Sequence, residues 1–242
     1  MKNINWSELG FGYFKTDYNV RCEYKDGKWG ELYATEDVNM NIHMASTCLH
    51  YGQEVFEGLK AFRGADGKVR LFRVEENAKR MINSGEYLKM AVPSVELFTK
   101  ACIEAVKLNA DYIPPYGSGA SLYLRPMLIG VGPQVGVKPS ADYLFAVFVT
   151  PVGPYYKDGF NCIKVIIDYD HDRAAPKGTG HVKVGGNYAA SLDSGEIAHQ
   201  KGFASVIFLD PATKQYIDEC SAANFFGIRD GKYITPDSHS VL

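Results

Sequence analysis

Lys183 lies in residues 173–187, RAAPKGTGHVKVGGN, where His181, Lys183 and Gly185 alternate with Val182 and Val184. A short strand over these residues sends both valines to one face and His181 and Lys183 to the other. Lys183 then sits opposite a hydrophobic wall, partly desolvated, with its ammonium form disfavoured, as a Schiff-base nucleophile requires. Glycines at 178, 180, 185 and 186 leave room for something large to approach the backbone, and Asn187 can cap the following helix. A lone lysine in such a stretch has a plainer reading as a solvated loop residue, so the chemistry needs partners elsewhere in the chain.

Other chemistries fare worse. Gly178-Thr179-Gly180 opens like GxGxxG, but position 183 is Lys, and GxxxxGK[ST] fits nowhere. His43, His50 and the DYDHD run at 168–172 have metal-ligand residue types without ligand spacing, so no metal is expected. The five cysteines (Cys22, Cys48, Cys102, Cys162, Cys220) form no CxxC pair and are odd in number, which fits reduced thiols and a cytoplasmic protein better than a disulfide framework. With 26 Lys plus Arg against 28 Asp plus Glu and no basic block, nucleic acid is not expected as a partner. The longest apolar run, 144–149, is too short to span a bilayer, and MKNINWSELG lacks the apolar run of a secretory signal. At 46% hydrophobic, a chain of 242 residues can bury a substantial core. Its 16 Tyr and 13 Phe suggest an aromatic-lined cavity, although core packing is the ordinary reading of any single ring.

The elements that must position Lys183 follow from the punctuation. Up to about residue 64, short alternating runs broken by Asp26-Gly27-Lys28, and then by Ala65-Asp66-Gly67, read as strands and hairpins. Residues 74–90 carry Ala78, Met81 and Ile82, and 95–109 carry Phe98, Ala101, Cys102, Ala105 and Val106, at helical spacing. Pro93-Ser94 offers the second helix an N-cap. Residues 121–130 and 142–150 read as buried strands joined by a Gly/Pro-rich connection, and PVGPYYKDG at 151–159 reads as a linker. The expected organisation is a small domain over 1–152, an interdomain linker over 153–163 and a second domain over 164–242. The second domain should hold strands at 163–168 and 204–209, a helix over 188–201 ended by Gly202, and more strands from 215 onward.

Four stretches now bear on function: YGQEVFEGLKAF (51–62), SLYLRPMLIG (121–130), HVKVGGNYAASL (181–192) and ECSAANFF (219–226). In this order and spacing, with agreement from about Phe11 to the last residue, the chain resembles the branched-chain amino acid aminotransferases, a pyridoxal-phosphate family of fold type IV. The resemblance implies an α+β, two-domain architecture: a small α/β domain, then a larger mixed domain that is truncated at its C-terminal end. It also implies pyridoxal 5'-phosphate as cofactor and ping-pong transamination of leucine, isoleucine and valine with 2-oxoglutarate. A homodimer or higher homo-oligomer is implied as well.

The same resemblance assigns roles by position. Lys183 carries the cofactor as a Schiff base and then serves as general base and acid. Tyr188 hydrogen-bonds the cofactor's phenolic oxygen, and Glu219 pairs with the pyridine nitrogen, whose protonation makes the ring an electron sink. Arg80 matches an arginine that grips the phosphate with its bidentate fork. Phe11, Tyr51, Phe56, Tyr123 and Tyr155 match aromatic positions of the side-chain pocket, some of them supplied by a partner subunit. An apolar pocket suits branched aliphatic side chains. Arg125 matches an arginine that accommodates the side-chain carboxylate of glutamate, the second substrate of the same pocket.

Two departures stand out. Ser221 and Ala222 occupy places where the family often has Gly-Thr. In the family the signature begun at Glu219 also runs on to a phosphate cup and an α-carboxylate turn, which are expected beyond Leu242. An inactive or non-catalytic truncated chain is therefore one alternative. A D-amino acid aminotransferase or aminodeoxychorismate lyase relative is another, from which YGQEVFEG and SLYLRP point away. A metal-dependent enzyme built on the histidines would instead lose activity to chelators and ignore hydroxylamine.

Overall fold

The computed structural model describes residues 2–156 and 161–242. Of the tract expected as a linker, residues 157–160 lie outside the described residues. The chain divides into two compact units, Met1–Phe160 and Asn161–Leu242.

The first unit opens with β1 (Asn19–Lys25), β2 (Lys28–Trp29) and β3 (Tyr33–Thr35). Asp26 (φ 51°) and Gly27 (φ 77°) make the two-residue β1–β2 turn, in the positive-φ geometry that matches strand twist and favours Asp-Gly. A short helix α1 (Thr47–Tyr51) follows, then β4 (Glu54–Phe56), β5 (Leu59–Arg63) and β6 (Val69–Leu71). Helices α2 (Val74–Tyr87) and α3 (Val95–Leu108) come next, and Ser94 caps α3 by accepting a hydrogen bond from the Leu97 amide at 3.1 Å. Two long strands, β7 (Ser121–Gly130) and β8 (Tyr143–Val152), complete the unit.

Among the described residues these strands form one antiparallel sheet in the order β2-β1-β8-β7-β5-β6, with β3 added to β1 and β4 to β7. Helix α3 packs against β8 and β1, where Phe98 stacks on Phe145 with ring centres 5.8 Å apart. Phe98, Phe145, Met81, Leu122, Leu124 and Leu128 are fully buried there. Central β8 is buried along nearly its whole length because it has a strand on either side and a helix above.

The second unit contains β9 (Val165–Asp168), α4 (Gly185–Ala189), α5 (Leu192–Gln200), β10 (Ser205–Leu209), β11 (Ile217–Cys220), β12 (Gly227–Arg229) and β13 (Lys232–Ile234). β9 and β10 are parallel, joined by a crossover that carries α4 and α5, and β11 pairs antiparallel with β10. Ala198 of α5 packs on Val206 and Phe208 of β10, with Ile166 and Phe203 alongside.

Three local expectations change here. Residues 181–185 form no strand: turns bonded from the Val182 amide to Thr179 and from the Val184 amide to Val182 lead directly into α4. The helix expected over 188–201 is two helices, broken at Ala190 and Ser191, with Gly202 (φ 77°) ending the second. Asn187 is not a cap but lies inside α4. Its amide donates to the Thr179 and Val182 carbonyls at 2.6 and 2.9 Å, and its oxygen accepts from the Thr179 hydroxyl at 2.7 Å. Bonds of this kind compete with a strand ladder, and here they win.

Candidate active site

In the second unit the alternation around Lys183 survives without the strand. Val182 and Val184 are buried while His181 and Lys183 are half-buried, because successive turn residues still face opposite ways. Since α4 begins at Gly185, one helical turn brings Tyr188 back over Lys183. The Lys183 Nζ donates to the Tyr188 hydroxyl at 2.5 Å and stands 4.8 Å from the centre of its ring. The backbone entering this turn is crowded: a Cβ on Gly180 would fall 2.7 Å from Ser240 Cα and 2.9 Å from the Ala175 carbonyl oxygen.

Glu219, on β11, is buried together with Arg173, whose Nε is 2.6 Å from Glu219 Oε2. Asn224 donates to Glu219 Oε1 at 2.8 Å. Arg173 Nη2 donates to the Ser240 carbonyl at 2.5 Å and the Gly180 carbonyl at 3.3 Å, which ties the Lys183 turn to the Glu219 strand. Burial pushes the Glu219 carboxyl above its ordinary value, and the opposing pull of Arg173, Asn224 and the Lys183 charge does not fully offset it. Lys183, Tyr188 and Glu219 thus belong to one connected polar group. Arg173 belongs to it too, although sequence reasoning read that residue only as the start of the lysine stretch. Ser221, one of the departures, spends its hydroxyl on Ser205 at 3.0 Å.

In the first unit Arg80 projects from α2 and is paired with Glu57, which is fully buried. The pair is bidentate, Nε to Oε1 and Nη2 to Oε2, both 2.7 Å. Glu57 is a second residue that sequence reasoning passed over.

The aromatic residues gather around β4 and β7. Tyr123 and Arg125 are two apart on β7 and so share a face, and the Arg125 guanidinium lies 4.8 Å from the Phe56 ring centre and 5.4 Å from that of Tyr123. It also donates to the Tyr123 hydroxyl at 3.2–3.3 Å. Phe11 meets Tyr123 and Tyr155 edge-on, with ring centres 5.2 and 5.3 Å away. Tyr51 makes none of these contacts: its hydroxyl donates to the Val135 carbonyl and its ring faces His50. The arrangement is an apolar, aromatic wall with the Arg125 guanidinium set into it and the Lys60 ammonium 5.9 Å from the Phe11 ring centre.

Gly58 is what lets Tyr123 lie there. A Cβ on Gly58 would overlap the Tyr123 hydroxyl and approach Cζ to 2.9 Å. Gly58→Ala is expected to lower stability by about 2 kcal/mol through overpacking, read as a shift in the urea midpoint. Adding Tyr123→Phe, which removes the clashing oxygen, should recover part of the loss, and a double variant no more stable than Gly58→Ala would contradict this account.

Three of the six histidines make local bonds. His43 accepts from the Ala45 amide at 3.0 Å, His50 bonds the Met44 carbonyl at 2.8 Å, and His171 pairs with Asp168 at 3.0 Å. Among the described residues no group of three or more His, Cys, Asp or Glu is placed to hold a metal ion, and no helix is long and apolar enough to cross a membrane.

Comparison with known proteins bears on this geometry. The family model for amino-transferase class IV matches residues 54–242. A branched-chain-amino-acid aminotransferase of Haemophilus influenzae is 53% identical over 248 residues, covering 100% of this chain and 72% of that protein. Its counterpart in Helicobacter pylori is 51% identical over 244 residues, with the same coverage. Among solved structures, the Escherichia coli branched-chain amino acid aminotransferase superposes with a TM-score of 0.74 at 26% identity, over 94% of this chain and 70% of that one. A second structure from Escherichia coli, also a branched-chain amino acid aminotransferase, superposes with a TM-score of 0.71 at 28% identity, over 92% of this chain and 67% of that one.

Proposed function

The chain belongs to the branched-chain aminotransferases of class IV, and from that membership we propose that it transfers the α-amino group of L-leucine, L-isoleucine or L-valine to 2-oxoglutarate with pyridoxal 5'-phosphate. The observation that carries this reading is the 2.5 Å contact of Lys183 Nζ with Tyr188, coupled electrostatically to a buried Glu219–Arg173 pair. The donor set fits the cofactor: an amine for its aldehyde, a phenol for its phenolic oxygen and a buried carboxylate for its ring nitrogen. When bound, the cofactor supplies an electron sink for the charge that develops at the substrate's Cα.

The chain's own residues do the rest. Lys183 Nζ would hold the cofactor and, once the substrate amine has taken its place, would take the proton from Cα and deliver it to the cofactor's C4′ carbon. Tyr188 keeps that amine aimed. Glu219 holds a proton on the ring nitrogen, and Arg173 keeps the carboxylate in place and charge-balanced. Arg80 is the phosphate grip. Phe11, Phe56, Tyr123 and Tyr155 enclose the aliphatic side chain and exclude water, while Arg125 receives the side-chain carboxylate of glutamate, so that one pocket serves both half-reactions. Tyr51, which stands outside that cluster, is assigned to the pocket of a partner subunit, and the working form is a homodimer or higher homo-oligomer. Five free thiols support a cytoplasmic location.

The test is a pair of half-reactions on the full chain with pyridoxal phosphate. Each of the three L-amino acids should bleach the visible band of the bound cofactor without any acceptor, and 2-oxoglutarate should restore it while glutamate forms. A band that D-alanine bleaches and L-leucine leaves unchanged would refute the assignment.

A further inference from the structure

We infer that Glu57 is a positioning residue that aims Arg80 at the cofactor phosphate. This inference rests on the reading of Arg80 proposed above and deepens it. The Glu57 side chain is 0% exposed, whereas that of Arg80 is 40% exposed. Taking a carboxylate fully out of water to meet a cation that is still partly solvated is a poor way to gain stability, so the pair calls for another reason. Geometry supplies one. Both Glu57 oxygens are committed, Oε1 to Arg80 Nε and Oε2 to Arg80 Nη2, and Asn77, one turn earlier on α2, also donates to Oε2 at 2.9 Å. The Glu57 backbone is fixed as well, its amide donating to the Pro126 carbonyl of β7 at 2.8 Å. A guanidinium is planar and carries five N–H groups, so a bidentate clamp along the Nε–Nη2 edge sets the plane of the fork and the direction of its other edge. A flexible helix-surface arginine thereby becomes a preorganised anion receptor. Phe56 and Gly58, which flank Glu57, touch Arg125 and Tyr123, so residues 56–58 place the phosphate grip and the substrate wall together.

Glu57→Gln tests this, because the amide that replaces one oxygen presents N–H to N–H and breaks the clamp while keeping the volume. Binding is measured on the full chain by absorption titration with pyridoxal 5'-phosphate and with pyridoxal, which lacks the phosphate. Glu57→Gln should weaken pyridoxal-phosphate binding by about tenfold, the scale of one charge-assisted hydrogen bond, and leave pyridoxal binding unchanged. Arg80→Gln should show the same selective loss, and the double variant should be no worse than Arg80→Gln, because Glu57 acts through Arg80. Equal losses for both ligands, or losses that add in the double variant, would overturn the inference. So would a Glu57→Gln chain that binds pyridoxal phosphate normally while Arg80→Gln does not. Should Arg80→Gln itself show no phosphate-selective loss, the assignment of Arg80 falls first and that of Glu57 with it. If Glu57→Gln does not fold, Glu57→Asp replaces it. That variant keeps the charge but retracts the carboxylate by one methylene, and the same phosphate-selective loss is expected.

Discussion

Lys183→Ala is expected to lower kcat/KM for L-leucine by at least about 10^4-fold, because covalent capture and proton transfer are lost together. The visible band of the bound cofactor should disappear with it. The fold should not: Lys183 is half-buried, its neighbours Val182 and Val184 carry the packing, and removing its amine is expected to change stability by less than about 1 kcal/mol. A nearly silent effect on the urea midpoint beside an abolished half-reaction is what separates a catalytic lysine from a structural one. Lys183→Arg sharpens the point. It keeps the positive charge and a donor for the Tyr188 hydroxyl, yet a guanidinium does not condense with an aldehyde, so the loss should be as deep as for alanine. Either variant retaining activity within about tenfold of the parent would remove Lys183 from its assigned role.

The alternation that first drew attention to Lys183 was legible because burial of Val182 and Val184 leaves a period of two in the sequence whatever backbone carries it. The backbone itself was not legible. Asn187 reaches back to Thr179 and Val182 and turns an apparent strand into a tight entry to α4; Asn is a residue type able to make such bonds, but the alternation alone does not show that they win over a ladder. The long strands β7 and β8 and the helices α2 and α3 were readable from their apolar spacing, because each presents a whole face to one core. The charged partners were not. Glu57 and Arg80 are 23 positions apart, and Arg173, between β9 and α4, is distant in sequence from Glu219 on β11, so each pair exists only once the fold has brought its segments together. That Tyr51 makes none of the contacts that join Phe11, Tyr123 and Tyr155 was likewise not legible, since all four present the same kind of ring in the sequence.

The second large effect belongs to Glu219 and Arg173, and it separates a functional ion pair from a stabilising one. Glu219→Gln is expected to lower kcat by about 10^2- to 10^3-fold, the usual scale for losing one charge aimed at a developing transition state. Arg173→Met should act first on the fold. It strands the Glu219 carboxylate beneath the surface without its paired guanidinium, at about 3 kcal/mol. Combining Arg173→Met with Glu219→Gln leaves neither charge buried and should recover most of that stability while activity stays at the Glu219→Gln level. The pH dependence has a definite sign. Burial raises the Glu219 pKa in the folded chain above its unfolded value, so the native state binds more protons in the window between the two. The stability that Glu219 contributes is therefore fully present below its ordinary carboxyl value and is lost as pH rises through the raised one. Urea midpoints of parent and Glu219→Gln across that window isolate this contribution from the other carboxylates: the advantage of the parent over Glu219→Gln should shrink with rising pH. A constant advantage would mean that Arg173 balances the burial, and a growing one that it overcompensates it. A double variant as unstable as Arg173→Met alone would mean that the arginine is held for its bonds to Ser240 and Gly180 rather than for the glutamate.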